Sequence, residues 1–162
     1  MCPLNRFSSR RHRIDRVFLA GKLKDARSYK RIAGYFRSSI FELVGEEISR
    51  IPDVRIVCNS ELDMADITVS KAVREAALKE KWNQVSVETE ALLHRERYRR
   101  LYNLLSQGNV QIRVVPKDKV FLHGKAGVIE QVDGQKTCFP GSINETKSAF
   151  AGTGVTYIGI GR

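Results

Sequence analysis

The chain has 162 residues and a mass of 18.4 kDa, which is the size of one domain. Apolar residues make up 42% and charged residues 28%, so wholesale disorder is excluded and one buried core is expected. No stretch approaches the ~20 apolar residues of a membrane span, and the amino terminus does not resemble a secretion signal. We therefore expect a cytoplasmic protein that does not act in a membrane.

Basic residues are concentrated in two places. The net charge is +10, and residues 1–31 alone hold ten basic and two acidic side chains. A second cluster consists of Arg95, Arg97, Arg99 and Arg100. Such a charge distribution favours a polyanion, nucleic acid first and an anionic membrane second, although a merely solvated surface would look the same. Arg95 and Arg99 are our candidates for contacting the substrate.

The first half of the chain predicts a β-α-β unit with parallel strands. Residues 31–36 form a short strand, Ser38 caps a helix, and residues 54–58 form the next strand. The apolar positions of that helix, which recur every three or four residues, are Ile40, Val44, Ile48 and Ile51.

Two further helices are predicted next. Ser70 caps the first, over residues 71–83, and the second covers residues 88–106 and stops at Gly108. The leucines of the second helix mark its core side, and the arginines around Arg97 are expected to face water.

The last third of the chain is rich in strands. Residues 110–115 and 120–131 form two of them, and Asp133-Gly134 closes a hairpin with residues 136–139. A short helical turn follows, and residues 155–160 form a last strand. The order of elements predicts a mixed α/β fold.

The strand over residues 120–131 carries the first chemically distinctive pair. Because side chains alternate along a strand, His123 and Lys125 share one face, while Ala126 and Val128 are expected to face the core on the other. An imidazole and an ammonium group are then held side by side.

The hairpin returns a glycine, a hydroxyl and an amide toward this pair: Gly141, Ser142 and Asn144. Lys125 would supply charge to a bound phosphoryl group, and the hydroxyl and amide would donate hydrogen bonds to its oxygens. Neutral His123 could attack the phosphorus atom. The alternative is that His123 is a structural histidine. The presence of Lys125, Ser142 and Asn144 at matching positions makes this alternative less favoured.

These residues carry a resemblance to a known family. His123-Gly124-Lys125 followed by Gly141-Ser142-Ile143-Asn144 resembles the His-x-Lys…Gly-Ser-x-Asn signature of the phospholipase D superfamily. Residues 31–36, 54–59 and 144–146 are similar to segments of the phospholipase D-like domains of bacterial helicases associated with restriction and phage defence.

The resemblance covers roughly residues 14–150 and implies the organisation of the chain. It implies an α/β fold with a phospholipase D-like mixed sheet flanked by helices. The domain would span residues 14–162, truncated or divergent after residue 150, and a basic arm, residues 1–13, would precede it.

The resemblance also implies a mechanism. Phosphodiester hydrolysis would proceed in two steps without metal or other cofactor, with His123, Lys125 and Asn144 as catalytic residues and a phosphohistidine intermediate. Gly141 and Ser142 would bind substrate. Because the chain holds one copy of the motif, a homodimer would pair two half-sites.

Two positions depart from the family pattern. Glu130 stands where aspartate is usual, and an extended strand would carry it more than about 20 Å from His123, so we interpret it as structural. Val155 stands eleven residues after Asn144, where nuclease members usually place a glutamate that holds the histidine ring. Loss of such a carboxylate can severely weaken catalysis.

Three hypotheses follow. The first is a metal-independent endonuclease acting on DNA, as a homodimer or beside a helicase partner. The second is a catalytically impaired nucleic-acid-binding module of a defence or helicase complex. A third, phospholipid hydrolysis, is disfavoured by the basic arm and by the lack of an interfacial helix.

Overall fold

A mixed five-stranded sheet organises the structure. The structure is a computed structural model, and it describes residues 5–9, 11–78, 87–116, 118, 121–144 and 146–151 and the backbone of residues 157–160. The strands β1 to β7 are Asn5–Ser8, Ala26–Ala33, Asp53–Asn59, Val110–Val115, Ala126–Gln131, Lys136–Pro140 and Tyr157–Ile160. The helices α1 to α6 are Gly21–Leu23, Phe41–Arg50, Met64–Leu78, Val87–Leu93, Glu96–Ser106 and Lys147–Ala151. None of the helices in this described part is both long and apolar enough to cross a membrane.

The sheet has the strand order β4-β3-β2-β5-β6. Strands β2, β3 and β4 run parallel, and the β5–β6 hairpin pairs antiparallel to β2. The predicted β-α-β unit is confirmed, since α2 connects the adjacent parallel strands β2 and β3. Strands β1 and β7 form a separate antiparallel pair.

The core lies on one face of the sheet. On the central strands, Tyr29, Ala33 and Ile56 are buried, whereas Lys30 and Arg55 on the alternate positions are exposed. Both connections between the parallel strands step across the sheet in the same direction, and right-handed crossovers then place their helices on the same face. The predicted core positions of α2 and its flanks are all buried: Ile40, Val44, Ile48 and Ile51.

The strand that leads out of the predicted site is shorter than expected. It begins at Ala126, and residues 121–125 before it have no regular structure. The predicted faces are also reversed: Gly127 and Ile129 are buried, while Ala126 is exposed and Val128 is half-buried. Register explains the reversal, because Gly127 pairs with Phe139 of β6, whose fully buried ring leaves no room for a side chain at residue 127.

The predicted serine caps are wrong. Helix α3 begins at Met64, where Asp63 accepts a hydrogen bond from the Ala65 amide, and the Ser70 hydroxyl donates to the Asp66 carbonyl inside the helix. The Ser38 hydroxyl donates to the carboxylate of buried Asp66 instead of capping α2. The segment 79–83 of the predicted helix lies outside the described residues.

The predicted helix 88–106 is two helices. Arg95 has an extended conformation (φ −85°, ψ 126°) and separates α4 from α5, and α5 is followed by Gly108 with φ +78°, as the stop signal predicts. Arg95 and Arg99 are exposed as predicted, whereas Arg97 is half-buried: its Nε donates to the Ser38 hydroxyl at 2.6 Å, and its Nη2 lies 3.3 Å from a carboxylate oxygen of Asp66. A buried carboxylate requires a cation, which turns this arginine inward.

Candidate active site

Three segments meet at the carboxyl ends of the parallel strands. Gly34 and Tyr35 follow β2, Asn59 is the last residue of β3, and residues 121–125 pass beside them on the way to β5. The Asn59 amide donates to the Gly34 carbonyl at 3.4 Å. Since neighbouring parallel strands end at the same edge of a sheet, the chain collects polar groups there.

The side chain of Asn59 holds the segment 121–125 in place. Its Nδ2 donates to the Leu122 carbonyl at 3.1 Å, and its Oδ1 accepts from the Leu122 amide at 2.8 Å. Asn59 is buried, and these two bonds satisfy its side-chain amide. They also hold the segment 121–125, which has no regular structure, in place of the hydrogen bonds of a β-sheet. Leu122 is half-buried, and its neighbours Phe121 and His123 are exposed.

Lys125 and Asn144 converge over Gly34. A Cβ atom at residue 34 would lie 3.1 Å from Oδ1 of Asn144 and 3.4 Å from Nζ of Lys125. The Tyr35 amide donates to the same Oδ1 at 3.0 Å, which turns the Nδ2 donor of Asn144 away from the backbone. Nζ of Lys125 donates to the His123 carbonyl at 3.2 Å. A cation and an amide donor are thus held against one bare stretch of backbone.

The loop after β6 is fastened from two sides. The Gly141 amide donates to the Lys125 carbonyl at 2.9 Å, which ties the loop to the segment beside it. Arg31, which is 3% exposed, donates to the Ile143 carbonyl, and its guanidinium carbon lies 5.0 Å from the centre of the Phe139 ring. These contacts place Asn144 at the site.

The structure unites the predicted site residues only in part. Lys125 and Asn144 are together, and Gly141 joins them through its backbone. The His123 imidazole is exposed and packs edge-on against Phe121, with 4.7 Å between the ring centres. Ser142 is exposed in the same loop as Asn144.

The two predicted arginines lie apart from this group. Arg95 lines a separate cleft of 490 Å³ together with Glu42, Arg97 and Lys147, and Lys147 follows Asn144 by three residues. Arg99 is exposed on α5, outside the lining of the cleft. The cleft adjoins the candidate active site in sequence but is a distinct surface.

Four residues of the site had no predicted role: Arg31, Gly34, Tyr35 and Asn59. They lie within the segments that carry the family resemblance. A glycine directly after a strand and an asparagine at the end of a buried strand were the available signals.

The structure describes one of the two positions that depart from the family pattern, Glu130, and does not describe the other, Val155. Glu130 lies on β5 opposite the start of β2, and it binds Arg27 at 2.6 Å and Lys136 at 3.8 Å. The hydrogen bond from Arg27 holds the pKa of Glu130 below its ordinary value, in agreement with the predicted structural role. Val155 lies outside the described residues.

Comparison with protein families decides the assignment. Residues 19–154 match the family model described as "Cardiolipin synthase, PLD-like domain". The chain belongs to the phospholipase D-like (PLD-like) family. This confirms the resemblance to the phospholipase D superfamily. The comparison with curated proteins found no match.

Solved structures share the fold of this PLD-like chain. Nuc from Salmonella typhimurium, a phospholipase D family member, is 15% identical with a TM-score of 0.53, over 99% of this chain and 82% of that one. NucT from Helicobacter pylori is 16% identical with a TM-score of 0.50, over 99% of this chain and 85% of that one. A mutant of yeast tyrosyl-DNA phosphodiesterase is 10% identical with a TM-score of 0.54, over 99% of this chain and 32% of the yeast protein. The chain thus spans about a third of the yeast enzyme and most of the two shorter proteins, and the predicted fold class is confirmed.

Replacing Asn59 with alanine should loosen the segment 121–125. Both bonds to Leu122 are lost, and we expect the variant to lose about 1–3 kcal/mol of stability because the backbone groups of Leu122 lose their partners. Hydrogen exchange followed by mass spectrometry should show faster exchange at the Leu122 amide.

Asn109→Ala is the matched control, because Nδ2 of Asn109 donates to the Ile51 carbonyl at 2.9 Å, away from the site. It should cost stability without selectively accelerating exchange at Leu122. Equal exchange at Leu122 in the two variants would refute the clamp.

Proposed function

We propose that this PLD-like domain is a phosphodiesterase that hydrolyses DNA without a metal, through a phosphohistidine on His123. The observation that carries the proposal is the convergence of Lys125 and Asn144 over Gly34, with Lys125 two residues after His123 in the same segment. A diester bound there would meet a cation and an amide donor at its non-bridging oxygens and an imidazole at its phosphorus atom.

The reaction needs two proton transfers besides the attack. A ring nitrogen of neutral His123 attacks phosphorus, the N–P bond forms, and the P–O bond to the leaving oxygen breaks. A second imidazolium protonates the leaving oxygen. Water then attacks phosphorus, the N–P bond breaks, and the proton released by the water returns to the second imidazole.

The second imidazole would come from a second copy of the chain. The sequence holds one His-x-Lys motif, at His123 and Lys125, so one chain supplies one half of the reaction. A homodimer with a twofold axis through the site provides both halves. The exposed position of His123 leaves its ring accessible to such a partner.

We infer that the substrate is DNA. We also propose that the protein acts in the cytoplasm and that a helicase is a further partner. Arg95 and Lys147 line a cleft, and Lys147 follows Asn144 by three residues in the sequence. Arg99, which is exposed on α5, adds a further positive charge. These side chains and the basic amino-terminal arm would bind phosphates that flank the scissile one.

A specific observation favours the second candidate, a binding module without turnover. Within the described residues, no carboxylate hydrogen-bonds to the His123 imidazole, and the position where the family places such a glutamate holds Val155. An imidazole without that partner is a weaker nucleophile, and a phosphate-binding pocket would persist without it.

A nuclease assay in EDTA separates the two candidates. We expect the wild type to cut single-stranded and plasmid DNA, and His123→Ala to lower the rate by more than about 10³-fold because the nucleophile is absent. A covalent protein–DNA band, trapped by denaturant at alkaline pH, should appear for the wild type alone.

His94→Ala is the matched control, because His94 is exposed between α4 and α5. It should cut like the wild type. Tight binding without cutting would establish the binding module, and cutting that EDTA abolishes would contradict the metal-free mechanism.

Mixed dimers test the shared site. The wild-type protein should sediment at twice 18.4 kDa. When equal amounts of wild type and His123→Ala are refolded together, only dimers with two histidines should be active, so about a quarter of the activity of an all-wild-type sample should remain. About half of the activity, or a monomeric mass, would mean that each chain acts alone.

A further inference from the structure

Two exposed aromatic side chains flank the candidate active site. Phe121 is 49% exposed and Tyr35 is 42% exposed. In the described part of the chain, they are the two aromatic members of the set of exposed large apolar side chains. Aromatic rings are normally buried for most of their area, so two open rings at one site suggest a ligand that covers them.

Both rings occupy defined positions relative to the phosphate-binding groups. The Phe121 ring contacts the His123 ring at 4.7 Å with an angle of 67°, and its backbone is fixed by the Asn59 clamp on Leu122. The Tyr35 amide donates to Asn144. One ring therefore stands beside the nucleophile, and the other belongs to the residue whose backbone amide binds the side chain of Asn144.

The Glu61 carboxylate raises the pKa of the Tyr35 phenol, through hydrogen bonding first and through its negative charge second. The exposed surface of the Tyr35 ring is open to a planar partner.

We propose that Phe121 and Tyr35 stack with nucleobases next to the scissile phosphate, so that the site takes single-stranded nucleic acid. This inference rests on the proposed function. A base can lie on a side chain only when it is unpaired and unstacked, which a duplex does not offer at low cost. Base–aromatic stacking contributes about 1–3 kcal/mol per base and tolerates any sequence.

The phosphate pocket and the rings recognise different parts of the substrate. Lys125 and Asn144 bind a charge that every phosphodiester has, whether nucleic acid or lipid. The rings add a preference for a diester with a planar group beside the phosphate, which a phospholipid lacks. The substrate would then be selected by the rings and oriented by the pocket.

The test compares two single-stranded DNA oligonucleotides with one cleavable phosphodiester each. They differ only in that one has bases, and the other has abasic residues, on both sides of that bond. On the oligonucleotide with bases, Phe121→Leu should lower kcat/KM by about 5- to 150-fold, the equivalent of one stacked base, and Tyr35→Leu should act similarly. On the abasic oligonucleotide both variants should stay within about twofold of the wild type.

Phe121→Trp is the matched control, because it keeps an aromatic face where leucine keeps only apolar bulk. It should retain activity on the oligonucleotide with bases. An equal loss on both oligonucleotides would overturn the inference, since the ring would then only position His123. Loss on both together with dissociation of the dimer would overturn it in favour of an interface between two copies.

Binding measurements decide the case in which the wild type cuts neither oligonucleotide. The proposed hydrolysis would then have failed, and fluorescence anisotropy would measure the affinity for the same two oligonucleotides. Weaker binding by Phe121→Leu to the one with bases alone supports stacking. Equal wild-type affinity for both, or tighter binding to a duplex of the same sequence, would overturn it.

Discussion

The bare backbone at Gly34 is the constraint on which the rest of the site depends. Any side chain there would meet Oδ1 of Asn144 at 3.1 Å and Nζ of Lys125 at 3.4 Å. The absence of a Cβ atom lets the amide of Asn144 lie close to the backbone, at the point that the ammonium group of Lys125 reaches from another segment. Two polar groups from residues 19 positions apart in sequence can then act on one anion.

The surrounding scaffold holds these two groups through hydrogen bonds to the backbone of their segments. Asn59 fixes the segment of Lys125 with a pair of neutral hydrogen bonds, and buried Arg31 fixes the loop of Asn144 through a carbonyl. Two acidic groups are bound by arginines away from Lys125: Asp66 by Arg97, and Glu130 by Arg27 at the other end of the sheet. The contacts that position the two segments do not use the ammonium group of Lys125, which leaves it available to the phosphate that we propose as its ligand.

Sequence patterns predicted the parts of the fold that local chemistry determines. The hairpin turn at Asp133-Gly134 follows from the need for positive φ, which Gly134 adopts at +85°, and the end of α5 follows from Gly108 in the same way. The buried face of α2 follows from its apolar spacing. The family motif predicted the pairing of Lys125 with Asn144, because motif residues distant in sequence are close in the fold.

The errors arose where a distant partner decides the local structure. The start of the strand at Ala126 could not be predicted from the sequence. Residues 121–125 have a composition that is compatible with a strand, but the side chain of Asn59, on β3, holds them outside the sheet. The inward turn of Arg97 depends on Asp66, and the length of α3 depends on a cap at Asp63. A single sequence does not reveal such partners, since none of them leaves a periodic pattern.

Calorimetric titration with tungstate, a tetrahedral dianion, measures the central claim directly. The wild type should bind tungstate, Lys125→Ala should weaken the affinity by at least about tenfold through the lost charge, and Gly34→Ala should weaken it less, because Oδ1 of Asn144 must move by a few tenths of an ångström. Gly124→Ala is the control glycine, because a Cβ atom there meets nothing within 4 Å, and it should bind like the wild type. Unchanged tungstate affinity in Lys125→Ala and Gly34→Ala would contradict a phosphate site formed over Gly34.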